Sequence, residues 1–75
     1  MNVTPFELRG EFIPLDALLK ATGSAPSGGI AKMMIAGGEV QVDGAVELRK
    51  TCKIRAGQVV VVAAAGATIH VLAAP

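Results

Sequence analysis

Arg49, Lys50, Lys53 and Arg55 fall within the seven residues RKTCKIR, which hold four of the chain's seven basic side chains and no acid. The other 68 residues hold three basic and six acidic side chains, so a chain of net charge +1 gathers its positive charge in one place. Clustered cations bind anions, and their spacing says which kind. If the segment is extended, side chains alternate: Arg49, Thr51, Lys53 and Arg55 project to one side, Lys50, Cys52 and Ile54 to the other. With Cys52 and Ile54 docked on a core, three cations form an outer row. Strand spacing sets alternate residues roughly 7 Å apart, close to the spacing of successive phosphates along an RNA strand. Such a row suits a phosphate backbone better than a point-like anion. Lys32, early on a helix upstream, extends the patch. A strand edge kept charged against aggregation would use similar residues, but protective charge is usually of mixed sign and this run excludes acids.

Other chemistries find no support. Gly23-Ser24-Ala25-Pro26-Ser27-Gly28 has the glycine spacing that begins a phosphate-binding P-loop. Gly29 and Ile30 then stand where Lys and Ser/Thr are required. One Cys and one His cannot assemble a tetrahedral zinc site within the chain. His70, between Ile69 and Val71, reads as a strand residue facing out or hydrogen-bonded, with no acid or nucleophile at a recognisable spacing. Lys50 and Lys53 beside Cys52 tend to lower its thiol pKa. Without a resolving Cys or a paired His, it reads as a small apolar filler. The expectation is a protein that is not an enzyme and has neither metal nor cofactor.

At 75 residues the chain is expected to form one domain over 1–75, with an aliphatic core around Phe6 and Phe12. A single cysteine excludes an internal disulfide, and the N-terminal residues lack a signal-peptide pattern. A reducing cytoplasm is the expected location. Residues 56–75 carry no Asp, Glu, Lys or Arg and are long enough to span a bilayer. However, Gln58 and His70 interrupt them, Val59 to Val62 favours strand, and Gly66 sits where a turn would fall. The reading is a buried hairpin, Gln58–Ala64 with Ala67–Leu72, and no membrane anchor.

The elements that must position the cations follow from periodicity. Phe6-Glu7-Leu8-Arg9 alternates as a half-buried strand does. Pro14 opens a helix whose Leu15, Leu18 and Leu19 form one stripe, Thr22 taking the next place with only a methyl to bury. Asp16 and Lys20 are spaced for an ion pair, and Gly23 ends the helix. Ser24 or Ser27 caps a second helix that runs to about Ala36 and buries Ile30, Met33 or Met34, and Ile35. Gly37 and Gly38 stop it. Glu39 to Val42 is an alternating strand, and Asp43-Gly44 a hairpin turn setting Val42 beside Ala45 and Val40 beside Glu47. A carboxylate on the apolar face argues that the chain leaves the sheet near Leu48, returning near Ile54.

Ala31, Ile35, Gly38, Val40, Val42, Asp43 and Gly44 keep the spacing A-x3-I-x2-G-x-V-x-V-[ND]-G. This pattern resembles the RNA-binding domain first described in ribosomal protein S-four, also called the αL motif. Leu15-Asp16 with Leu19 resembles the start of that family's first helix, and Ser27 the start of its second. "VELRKTCKIRAGQ" resembles the small stand-alone bacterial subgroup, the YbcJ-like proteins. The resemblance covers roughly residues 8 to 62. It implies an α+β fold: two short helices packed on a small, twisted, mostly antiparallel sheet. It also implies binding of structured RNA, ribosomal or transfer RNA, through the helix pair and adjoining loop, with the ribosome a candidate partner.

The chain departs from the family where Pro14 and Gly28 replace arginines, where Asp43 replaces Asn, and where Gln58 replaces Asp. The RNA contacts are therefore expected at Arg49, Lys50, Lys53 and Arg55, with Lys32 the helix-two cation carried over. With two Phe and no Trp or Tyr, base stacking on single strands is not expected. About four phosphate contacts would give a slope of log K against log salt of about −3 to −4. The competing expectation is a protein-interaction or homodimerisation domain using the basic row and an exposed strand edge.

Overall fold

The computed structural model describes residues 2–74. Along the chain come β1 (Asn2–Leu8), β2 (Ile13–Pro14), α1 (Leu15–Ala21), α2 (Gly28–Ala36), β3 (Val40–Val42), β4 (Ala45–Val46), β5 (Lys53–Ile54), β6 (Val59–Val62) and β7 (Ala67–Ala73). Five strands make one sheet in the order β1-β7-β6-β3-β4, while β2 and β5 form a separate two-stranded ribbon. β1 runs parallel to β7; the remaining pairs of the sheet are antiparallel. The fold is α+β, two short helices with a mostly antiparallel sheet.

The leucine stripe places α1. Leu15, Leu18 and Leu19 are fully buried, and Ala31 and Ile35 of α2 meet the same core. Val40, Val60, Val62, Ile69 and Val71 close it from the sheet. Phe6 packs against this cluster, but Phe12, expected in the core, is 40% exposed. Ile30 is also exposed rather than buried, because Ala31 and Ile35 turn the inner stripe of α2 one residue away from it.

Pro14 is extended (φ −60°, ψ 142°) and stands just before α1, pairing with Lys53 across the ribbon. It therefore precedes the helix rather than forming its first residue. Two N–H groups of the opening turn are satisfied from far along the chain: Leu15 N–H donates to Cys52 O (2.9 Å) and Asp16 N–H to Lys50 O (3.1 Å). Thr22 ends α1 with its hydroxyl turned back to Leu18 O at 3.0 Å. Ser27 caps α2, its Oγ accepting Ile30 N–H at 3.2 Å.

The Asp43-Gly44 turn takes positive φ at both positions (51° and 86°), the combination that keeps a two-residue hairpin in step with strand twist. Val42 pairs with Ala45 as expected, and Glu47 N–H donates to Val40 O at 3.0 Å before the chain departs. It returns at Ile54, but to Ile13 of β2 rather than to the five-stranded sheet. Beyond Ala56, β6 and β7 form a hairpin with Gly66 in the left-handed turn position. Among the described residues no helix is long and apolar enough to cross a membrane.

The helices cover one face of the sheet. On the other, Val46, Gln41, Val61, Thr68 and Val3 are register partners in one row across all five strands. Val3 is 59% and Val46 54% exposed on that face.

Candidate functional site

The segment from Leu48 to Lys53 forms one wall of an open groove of about 830 Å³, and Lys32 of α2 stands on the other. The wall is held by its backbone. The carbonyls of Lys50 and Cys52 take the α1 amides just described, and Cys52 N–H donates to Arg49 O at 3.2 Å, closing a turn. The segment is thus bent at Lys50-Thr51 and extended only from Lys53, so the strict alternation expected over 49–55 fails in its first half. Its second half holds: Ile54 is fully buried while Lys53 and Arg55 are exposed.

Of the five expected site residues the structure gathers four, Lys32, Arg49, Lys50 and Lys53, around the groove. Arg55 lies outside it, just past the ribbon, where its N–H donates to Gln58 Oε1 at 2.7 Å. The four cations are not equivalent. Lys32 Nζ is 3.6 Å from Asp16 Oδ2, so Asp16 pairs across the helices and not with Lys20 as expected. Arg49 is held by Glu47: its Nε donates to Oε2 at 3.0 Å and its Nη2 to Oε1 at 2.9 Å. Lys53 Nζ sits 5.0 Å from the centre of the Phe12 ring, a cation–π distance that accounts for an exposed aromatic beside the groove. Lys50 makes no ion pair among the described residues.

Two acids, Asp16 and Glu47, therefore sit among the bases, and reading charge along the chain missed both. Glu47 lies two residues before Arg49, a spacing that puts both side chains on one side of an extended segment. That was the available signal. The contact with Arg49 lowers the Glu47 carboxyl from 4.5 to about 2 and raises the guanidinium pKa. Cys52 also lines the groove, with Arg49 Nη2 at 3.6 Å from its Sγ. Burial first, and then the Glu47 carboxylate, push its thiol up. The lowering expected from the neighbouring lysines does not occur.

His70 is exposed on β7 between the partner positions Val59 and Pro5. Among the described residues no three His, Cys, Asp or Glu side chains gather where a metal could be held. The groove offers ammonium and guanidinium donors on a backbone-bonded bend and is open to solvent.

The S4 domain family model matches residues 6–72. The chain is 52% identical over 61 residues to YbcJ of Escherichia coli (strain K12), covering 81% of this chain and 84% of that protein. The same figures hold for YbcJ of Shigella flexneri. The solution structure of E. coli YbcJ, described as revealing an αL motif involved in RNA-binding, superimposes with a TM-score of 0.67. That match has 44% identity and covers 96% of this chain and 87% of the other. The A-x3-I-x2-G-x-V-x-V-D-G pattern runs from α2 into the β3–β4 turn inside the matched region. Matched over nearly its whole length and built on the fold of the αL motif, the chain belongs to the S4 domain family.

Proposed function

We propose that this chain is a single, non-enzymatic RNA-binding module working in the cytoplasm, and that its basic groove receives the backbone of structured RNA, ribosomal or transfer RNA. One observation supports this above the others: Lys32, Arg49, Lys50 and Lys53, from two distant parts of the sequence, meet at one open surface. Membership of the S4 domain family and the likeness to a YbcJ structure described for RNA-binding point the same way.

Lys50 and Lys53 supply charge to phosphates, Arg49 a directional guanidinium, and Lys32 a contact from the opposite wall. Arg55 extends the surface beyond the groove. With Phe12 already stacked against Lys53, recognition rests on backbone shape and carries weak sequence preference. A net charge of +1 gives modest affinity by itself, so the ribosome is the natural setting in which neighbouring surfaces add to it.

The second reading, a protein-interaction domain, is favoured by the uncovered sheet face with Val3 and Val46 exposed. Ultraviolet cross-linking in cells separates the two. Defined RNA should be recovered with the natural chain and lost when Arg49, Lys50, Lys53 and Arg55 are all changed to Ala. Equal background from both chains sinks the RNA reading and leaves the sheet face as the working surface.

A further inference from the structure

Glu47 is an acid inside a basic site, and long-range electrostatics gives no reason for it: a carboxylate beside a phosphate-binding groove repels the ligand. Its local geometry does. Oε2 accepts both the backbone N–H and the Nε–H of Arg49, each at 3.0 Å, and Oε1 accepts Nη2–H at 2.9 Å. The second acceptor for Nη2 is Cys52 Sγ at 3.6 Å. The Glu47 side chain is 17% exposed and that of Arg49 77%, so the acid is tucked under the base. Nη1 alone among the guanidinium nitrogens is left without a protein acceptor among the described residues.

An arginine on a surface loop loses rotamer freedom when it binds a phosphate, and that loss weakens association. A three-bond clamp from a neighbouring carboxylate removes it beforehand, at the cost of nearby negative charge. We propose that Glu47 is a positioning residue: it grips Arg49 by the Nε–Nη2 edge and presents Nη1 to an RNA phosphate. This rests on the groove being the RNA surface.

The charge of Glu47 and its ordering of Arg49 act on affinity with opposite signs, which makes the test sharp. Affinity for folded ribosomal RNA is measured by filter binding at fixed salt for the natural chain, Glu47→Gln, Arg49→Ala, the Glu47→Gln/Arg49→Ala double variant, and Lys50→Ala/Lys53→Ala. Glu47→Gln removes a negative charge yet should weaken binding about fivefold, and should no longer weaken it once Arg49 is Ala. The Arg49 Nε–H signal in a nitrogen–proton NMR spectrum should lose its hydrogen-bonded position in Glu47→Gln while the backbone amides stay put. If Glu47→Gln fails to fold, Arg49→Lys replaces it: charge is kept, the fork is lost, and the same weakening is expected.

Tighter or unchanged binding by Glu47→Gln, or unchanged binding by Arg49→Lys, overturns the positioning role while loss in Lys50→Ala/Lys53→Ala leaves the groove standing. Unchanged affinity in Lys50→Ala/Lys53→Ala overturns the groove and the positioning role together.

Discussion

Asp43 and Gln58, fifteen residues apart, are joined side chain to side chain: Gln58 Nε2 donates to Asp43 Oδ2 at 3.1 Å. The two complete each other's bonding. Asp43 Oδ1 accepts Val59 N–H at 2.9 Å, and Gln58 Oε1 accepts Arg55 N–H at 2.7 Å. The β3–β4 turn is thereby tied to the entry of β6 and to the end of the basic segment. Asp43→Asn keeps the left-handed turn but sets an amide N–H against another, so the thermal midpoint should drop. Adding Gln58→Glu reverses the polarity of the pair, donor for acceptor, and should restore most of the loss. A double variant no more stable than Asp43→Asn would show that the pair does not hold the turn.

Acid should act through Glu47. Its carboxyl is lowered from 4.5 to about 2 by the Arg49 contacts. The unfolded chain therefore takes up this proton at higher pH than the folded one, and stability falls as pH drops. The contribution is complete above about pH 4.5, declines below that and is gone near pH 2. Thermal midpoints measured from pH 6 to pH 2 should fall less steeply in Glu47→Gln than in the natural chain. Parallel curves would remove Glu47 from the acid response; Asp43, also lowered by its bonds to Val59 and Gln58, would remain.

Salt dependence should rank the cations. Lys50→Ala and Lys53→Ala should each flatten the slope of log K against log salt by about 1 for RNA binding. Lys32→Ala should flatten it less, because Asp16 already balances that charge at 3.6 Å. Titrations at several salt concentrations give the slopes directly. Equal slopes for all three variants would mean that the ion pair opens when RNA binds.

The groove should depend on a core residue behind it. Ile54 is fully buried next to exposed Lys53, and it pairs with Ile13 in the ribbon that aligns the basic wall. Ile54→Val should cost about 0.5–1.5 kcal/mol and Ile54→Ala about 2–5 kcal/mol in urea unfolding. A small domain has only about 5 kcal/mol or somewhat more to lose, so the alanine variant should be near its folding limit at 25 °C. A value below the lower bound for Ile54→Val would mean that the ribbon yields around the cavity.

The elements legible in the sequence are those whose signals are local. The Leu15, Leu18 and Leu19 stripe, the Ser27 cap, the Asp43-Gly44 turn and the Gly66 hairpin depend on residues a few positions apart, where periodicity and backbone preference decide. The clustering of Arg49, Lys50 and Lys53 is likewise written in the chain, as is the family pattern from Ala31 to Gly44.

Tertiary structure decided what those cations are worth. Asp16 could reach Lys20 one helical turn away, yet it pairs with Lys32, because packing of α1 on α2 brings a second helix within range. Phe12 was a natural core residue by type but became the platform for Lys53 when the aliphatic core filled without it. The bend at Lys50-Thr51 exists because the Lys50 and Cys52 carbonyls answer α1 amides some thirty-five residues upstream, a demand no local pattern announces. Composition and spacing thus determined that the chain has a basic segment beside a two-helix fold. Only tertiary structure determined the rest: distant backbone donors and acceptors set its bend, and the packing of α1 on α2 paired Lys32 with Asp16 while Lys50 was left without an ion pair among the described residues.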